Sequence, residues 1–253
     1  MTTLDTHVRP LPRWITDSPA MAAAALLWGA ATPLYLWLAL AVPETVAGEA
    51  AWLKPLKFSL ATTVWALTLA WAARFVPEAT RAARWFRVYS WSVFAAMALE
   101  MAWLTTASAL GQKAHYNTEV LWLAIAYPVA GLVATWFAGS ALVWGVAILR
   151  AASSRDARPL ARTLGWSMVA TFLLTVPTAF ALSAVEPPAG GLPLFGWTFA
   201  EGDLRPAHFA ATHAMQVVPL VAVATGLVGR GGWLTLGWSV VTLGLVATGT
   251  GLI

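Results

Sequence analysis

The stretch from residue 203 to residue 228 reads DLRPAHFAATHAMQVVPLVAVATGLV. Its C-terminal part is almost entirely apolar. Its N-terminal part contains an arginine, two histidines and a glutamine. Such groups are costly in hydrocarbon and usually face a partner, a cavity or a ligand. Pro206 suits the first position of a helix, and Asp203 lies just upstream, where a capping residue is expected. The pattern predicts a membrane helix whose positive dipole end faces the molecule that Arg205 and His208 hold.

The composition indicates that the whole chain belongs in a membrane. Of its 253 residues, 59% are hydrophobic and 10% are charged, whereas soluble domains carry about 25% charged residues. There is no cysteine, which excludes disulfides, thiolate metal sites, iron–sulfur clusters and covalently attached c-type haem. The net charge of +4 does not indicate a nucleic-acid partner, because the arginines fall between apolar segments, as topology signals do.

Long apolar segments recur along the chain, each close to or above the ~20 residues that a spanning helix needs. They cover residues 19–42, 53–75, 85–110, 118–148, 164–185, 208–228 and 233–253. We therefore predict an all-α polytopic membrane bundle of seven transmembrane helices. It forms one integral membrane domain, residues 1–253, with a cytoplasmic N-terminal segment at 1–17 and an outer loop at 186–205. No internal repeat and no obviously broken helix is visible.

The basic residues are distributed unequally between the loops. With the N-terminus in the cytoplasm, eleven of the 15 lysines and arginines fall on the cytoplasmic side. These are Arg9, Arg13, Arg74, Arg81, Arg84, Arg87, Arg150, Arg155, Arg158, Arg162 and Arg230. The positive-inside rule then predicts a multi-pass protein of the cell membrane with its N-terminus inside and its C-terminus outside.

The outer ends of the predicted helices carry more varied side chains than the cytoplasmic loops. The second, fourth and sixth helices all begin at the outer face, so their positive dipole ends meet there beside basic residues. This arrangement predicts an outward-facing polar pocket for an anionic head group. The predicted ligand-binding residues are Lys54, Lys57, His115, Asn117, Asp203, Arg205 and His208.

Three polar residues lie deeper in the predicted bundle. At ~1.5 Å per residue, Glu100 and Gln216 lie roughly 15 Å from the outer ends of their helices, and His213 lies about 10 Å deep. A carboxyl group near the middle of a bilayer is expected to be protonated or paired. We predict Glu100, His213 and Gln216 as catalytic residues of a membrane-embedded enzyme. Glu100 and His213 would form its acid–base pair, acting on a lipophilic or amphiphilic substrate.

Two other functions fit the same residues. Histidines from different helices are able to ligate haem b or a metal ion in a redox protein. Alternatively, Glu100 is the proton-coupled site of a transporter or a sensor, although the polar groups end near the middle of the membrane. The expected partners are the lipid bilayer and an anionic or lipophilic small molecule, and no nucleic acid.

Overall fold

The computed structural model describes residues 12–152, 159–188, 190–192 and 195–252. Within these ranges the chain is helical apart from one hairpin, formed by β1 (Thr45–Val46) and β2 (Glu49–Ala50). The α-helices are α1 (Arg13–Asp17), α2 (Pro19–Ala41), α3 (Leu53–Ala72), α4 (Glu78–Ala82), α5 (Arg84–Ala109), α6 (Leu121–Ala151), α7 (Pro159–Ala184), α8 (Arg205–Thr212), α9 (Ala214–Ala224) and α10 (Gly231–Gly249). The predicted all-helical class is confirmed. Arg9, Arg155 and Arg158, predicted as topology signals, lie outside the described residues.

The long helices have the length and surface of membrane-spanning segments. Six helices of the described chain are long and apolar enough to cross a membrane, or up to seven if α8 and α9 count as one bent span. Their outward surfaces are apolar, with Leu40 80%, Trp233 76% and Leu220 68% exposed. Soluble proteins rarely expose large apolar patches, so this outer surface suits contact with lipid.

Most predicted helix boundaries agree with the observed ones to within a few residues. The largest difference at a helix start is in α7, which was predicted to begin at residue 164 and begins at Pro159. Proline is favoured in the first turn of a helix, where its missing N–H is not needed. Arg162, which was predicted to lie between two helices, is therefore helical.

The loops gather at two ends of the bundle, which differ in chemistry. The histidine end comprises loops 42–52, 110–120 and 185–204, and Lys113 and Glu186 form an ion pair there, with a 2.8 Å separation. The arginine end comprises loop 73–83, the described ends of the α6–α7 connection and loop 225–230. Arg81 forms an ion pair with Asp17 at this end.

Small residues and buried tryptophans hold the spans together. A Cβ atom on Gly145 of α6 would lie 2.9 Å from the carbonyl oxygen of Gly165 in α7, so glycine at both positions lets the two backbones approach closely. Trp144 is fully buried, and its indole N–H donates to the carbonyl of Leu69 in α3 at 3.2 Å. A buried indole needs such a partner.

The helix predicted across residues 208–228 is broken. α8 ends at Thr212, α9 begins at Ala214, and the two axes differ by 63°. The prediction of an unbroken helix is therefore wrong. Proline and glycine, which mark most sharp bends, are absent from the break, and the nearest proline downstream is Pro219. The sequence of this segment alone carries no signal for the bend.

Side chains from neighbouring helices satisfy the backbone groups at the break. The Thr171 hydroxyl of α7 accepts a hydrogen bond from the N–H of Met215 at 2.9 Å. The indole N–H of Trp238 in α10 donates to the carbonyl of Ala210 at 2.8 Å. Because a membrane interior offers no water to unpaired backbone groups, these two contacts make the bend tolerable.

The hairpin at residues 45–50 was not predicted. Its two central residues, Ala47 and Gly48, have φ angles of 52° and 82°, as the two-residue type I′ turn requires. An alanine with positive φ is uncommon, so Ala47–Gly48 is not a recognisable turn signal in the sequence. The hairpin brings Glu49 to 3.6 Å from the Lys57 ammonium.

The first prediction concerns the bend. Replacing Thr171 with valine removes the acceptor for the Met215 N–H and leaves that donor buried without a partner, which costs about 1–3 kcal/mol. We expect T171V to lower the thermal unfolding temperature of the protein in detergent. The control is T175V, one turn further along α7, because the Thr175 hydroxyl is buried and has no hydrogen-bond partner. Equal unfolding temperatures for the two variants would show that Thr171 does not support the bend.

Candidate functional site

His115, in the loop between α5 and α6, is enclosed by aromatic rings. The ring centroids of Trp103, Tyr127, Phe58 and Tyr116 lie 4.8, 5.0, 6.2 and 6.4 Å from that of His115. These rings come from α3, α5, α6 and the loop itself, so the imidazole is held where three spans meet. The loop that carries His115 is thereby fixed against the bundle.

The environment of His115 keeps its ring uncharged. Burial lowers the pKa of His115 well below its ordinary value of 6.5, and the positive charge of Lys54 lowers it further. A neutral imidazole has one donor and one acceptor nitrogen. Nδ1 of His115 is buried and has no hydrogen-bond partner among the residues that the structure describes. This atom is therefore available to a polar group of a bound molecule.

Two more buried polar atoms without partners continue from His115 into the bundle. They are Nε1 of Trp103 and Oε1 of Glu100. Glu100 precedes Trp103 by three residues in α5, so the two side chains leave the helix on the same face. We call Glu100, Trp103 and His115 the polar row. Native proteins rarely leave buried polar atoms unpaired, and three in succession mark this region as unusual.

Basic and acidic side chains surround the top of the polar row. Lys57 pairs with Glu49, and Lys113 pairs with Glu186. Both pairs are partly exposed, so each contributes little to stability. Lys54 interacts electrostatically with Glu49 and Glu186 but forms neither a hydrogen bond nor an ion pair with any residue that the structure describes. Its amino group is thus a basic group of this cluster that has no direct partner among the described residues.

Asp203 and Arg205 bind each other. Nε of Arg205 donates to Oδ1 of Asp203 at 2.8 Å, and Nη2 donates to Oδ2 at 2.9 Å. Oδ2 also accepts from the backbone N–H and the hydroxyl of Thr198, and Nη2 donates to the carbonyl of Pro188. The pair therefore fastens the loop at residues 185–204 to α8. Its predicted part in ligand binding stays a prediction.

The pKa of Asp203 reflects this clamp. Burial alone raises the pKa of the Asp203 carboxyl, but hydrogen bonds from Arg205 and Thr198 and the charge of Arg205 outweigh burial. The pKa of Asp203 therefore lies below its ordinary value of 3.8. The carboxylate is charged at every pH at which the fold is expected to work.

Asn117 organises the loop that carries His115. Its Oδ1 accepts hydrogen bonds from the backbone N–H groups of Glu119 and Val120 at 3.0 and 2.9 Å. Its Nδ2 donates to the carbonyl of Lys113 at 3.0 Å. Asn117 thus holds the turn that leads into α6. Its amide is largely occupied by the protein itself.

The remaining predicted residues lie along α8 and α9. Nδ1 of His208 lies 3.2 Å from the Thr178 hydroxyl oxygen, and that hydroxyl also lies 2.8 Å from the Leu174 carbonyl, to which it donates. The oxygen of Thr178 therefore accepts from His208, which assigns the hydrogen of the imidazole to Nδ1. Gln216 donates from Nε2 to the Thr68 hydroxyl in α3 at 3.1 Å, and its Oε1 is buried without a partner.

The predicted site residues thus fall into two groups. Lys54 and His115 interact with each other at the histidine end, whereas His208 of α8 contacts α7 and Gln216 of α9 contacts α3. No hydrogen bond, ion pair or electrostatic interaction joins Glu100 to His213 among the described residues. The ring of His213 instead packs on Phe209, with centroids 4.2 Å apart. The acid–base pairing of these two residues stays a prediction.

The arrangement gives no specific support to a metal centre. In the part of the chain that the structure describes, no three histidine, aspartate or glutamate side chains are grouped so that they could hold a metal ion. The alternative that the protein binds haem or a metal ion stays a prediction, and it rests only on the presence of the histidines in the sequence.

Several residues of this region were not predicted as site residues. Phe58 and Tyr127 reach His115 only through the fold, so their positions in the sequence carry no signal, whereas Tyr116 directly follows His115 in the chain. Trp103 stands three residues after Glu100, and that spacing was the available hint that both side chains share a face.

The chain matches no protein-family model, and no curated protein and no solved structure is significantly similar to it. The function therefore has to be argued from the geometry of these residues.

The second prediction tests the Asp203–Arg205 clamp. Because the pKa of Asp203 is lowered on folding, the clamp stabilises the fold above pH 3.8, and this stabilisation is lost as the pH falls through the lower folded-state pKa. We expect D203N to cost about 3 kcal/mol at neutral pH, since it leaves Arg205 without its counter-charge. Unfolding temperatures measured against pH should converge for wild type and D203N at low pH. Parallel curves would contradict the prediction.

Proposed function

We propose that this chain is a multi-pass protein of the cell membrane with seven transmembrane helices, its N-terminus in the cytoplasm and its C-terminus outside. Counting α8 and α9 as one bent span supports the number seven, because the chain then returns to the histidine end through α10. The described loops of the arginine end are rich in arginine, which favours the cytoplasm for that end. The histidine end then faces outwards.

We further propose that the histidine end binds an amphiphilic molecule with an anionic head group and that Glu100 exchanges a proton with it. The observation that carries this proposal is the polar row beneath Lys54. Buried polar atoms without partners in the protein are the atoms expected to receive a ligand or a water molecule.

The residues suggest how such a molecule would be oriented. The ammonium group of Lys54 would neutralise the anionic head, and the neutral ring of His115 would contribute one further hydrogen bond. The aromatic faces of Phe58 and Tyr127 would pack on the apolar part. The indole N–H of Trp103 would donate to a hydroxyl or carbonyl oxygen of the bound molecule.

Glu100 would then supply the chemistry. Its carboxyl group is 6% exposed, and a charged carboxylate without a partner is unfavourable in such surroundings. A protonated carboxyl group near a bound substrate is a general acid, and it becomes the base once the proton has been transferred. The reaction class proposed here is therefore proton transfer to or from a lipophilic substrate.

The broken helix favours a second candidate function, proton-coupled transport. Interrupted spans near the middle of the membrane are typical of transporters, where they create binding sites. The break at His213 lies one helical turn from Gln216, whose buried oxygen has no partner. In this alternative, Glu100 carries the coupled proton.

The third prediction tests ligand binding by Lys54. Protein purified in a mild detergent should retain one anionic amphiphile that is enriched over the bulk lipid, as measured by mass spectrometry of the extract. K54Q should lose it, because the unpaired cation is removed. The control K113Q should keep it, since Lys113 already pairs with Glu186. Identical extracts from all three proteins would exclude this role for Lys54.

The fourth prediction separates the enzyme from the transporter. E100Q removes the exchangeable proton with little change in the shape of the side chain. If the protein is an enzyme, E100Q should retain the bound amphiphile in its unconverted form. The mass spectrum of this amphiphile should then differ from that of the molecule bound to wild type. The control E119Q changes an exposed carboxyl group and should behave as wild type. An unchanged bound molecule together with lost proton-coupled uptake in vesicles supports transport. If E100Q changes neither property, both functions are wrong.

A further inference from the structure

A cleft opens between α7 and α10 at the arginine end, far from the polar row. It has a volume of about 530 Å³, and its lining includes Arg162, Thr163 and Trp166 from α7, and Arg230, Gly231 and Trp233 from the start of α10. We call it the arginine cleft. None of its residues was predicted as part of a site.

The walls of the arginine cleft are held at a fixed distance. The Thr163 hydroxyl lies 2.9 Å from the carbonyl of Val228 and 3.2 Å from that of Pro159. A Cβ atom on Gly231 would overlap with the Thr163 side chain. The start of α10 therefore rests directly on α7.

The arginine cleft is positively charged. Arg162 and Arg230 are both exposed, and neither forms an ion pair with a residue in the described ranges. No acidic side chain lines the cleft. Asp17, at the same end of the bundle, is already paired with Arg81. Two guanidinium groups without counter-charges among the described residues favour an anion, and arginine suits phosphate in particular because it donates two parallel hydrogen bonds.

Tryptophans place this charge at the level of a membrane surface. Trp166 is 50% exposed and Trp233 is 76% exposed, and both line the cleft beside the arginines. Exposed tryptophans at the ends of spanning helices lie among lipid head groups. Leu236, one turn further along α10, is 54% exposed and continues the apolar surface towards the hydrocarbon. The cleft thus offers cations for a head group and an apolar wall for an acyl chain.

We propose that the arginine cleft binds the phosphate head group of an anionic phospholipid from the adjacent leaflet. The phosphate lies between Arg162 and Arg230, and the glycerol and first acyl carbons pack on Trp166 and Trp233. Basic pockets between spanning helices are known to bind anionic lipid head groups in this way. This site is independent of the function proposed for the histidine end, and neither depends on the other.

The experiment measures lipid binding by native mass spectrometry of the full chain in a neutral detergent. Phosphatidylglycerol and phosphatidylcholine are titrated separately against wild type and the double variant R162Q/R230Q. A basic residue near an anionic membrane surface contributes about fivefold to binding, so the double variant should bind phosphatidylglycerol on the order of 25-fold more weakly. Binding of phosphatidylcholine should be weak and equal in the two proteins.

Two further variants keep the test decisive. R84Q/R87Q removes the same charge from exposed arginines of α5 at the same end, outside the cleft, and should bind phosphatidylglycerol as wild type does. R162K/R230K keeps the charge and should retain most of the binding, which controls for loss of fold. The proposal is overturned if R84Q/R87Q weakens binding as much as R162Q/R230Q. It is equally overturned if R162Q/R230Q binds like wild type, or if inorganic phosphate raises the unfolding temperature as much as phosphatidylglycerol does.

Discussion

Every polar group in the hydrocarbon core of a membrane has to find its partner within the protein, because no water is present to replace it. Most of this chain obeys that constraint through contacts between helices. The indoles of Trp144 and Trp238 donate hydrogen bonds to backbone carbonyls. The Thr171 hydroxyl accepts a hydrogen bond from the N–H of Met215 at the bend between α8 and α9. Buried atoms without partners among the described residues occur at several places. Those of Trp103 and His115 belong to neighbouring rings, and Glu100 lies one helical turn from Trp103. The same constraint that explains the bend therefore also indicates the site.

The two ends of the bundle use charge in different ways. At the histidine end, acids and bases are present together, and pairs such as Asp203–Arg205 and Lys113–Glu186 fasten the loops over the spans. Lys54, at the same end, has no ion pair among the described residues. At the arginine end, acids are scarce in the described loops, and Arg162 and Arg230 are exposed. We propose that the first end binds a small molecule and that the second binds a membrane lipid.

Much of the architecture could be predicted from the sequence because apolar length is a local property. The all-helical class and most boundaries of the long helices followed from it. The break at His213 could not be predicted, since the side chains that satisfy its backbone groups, Thr171 and Trp238, lie on other helices. The pairing of Arg205 with Asp203 was missed for a different reason. Both residues suit ligand binding by type, and only the loop conformation shows that they bind each other.

The most direct measurement of the central claim is a high-resolution cryo-electron microscopy map of the protein in nanodiscs made from its native membrane. The account predicts a non-protein density with its polar end at Lys54 and His115, in contact with Nε1 of Trp103 and continuing to Glu100. A map in which these three side chains of the polar row hydrogen-bond to other protein groups, with no density beside them, would contradict it.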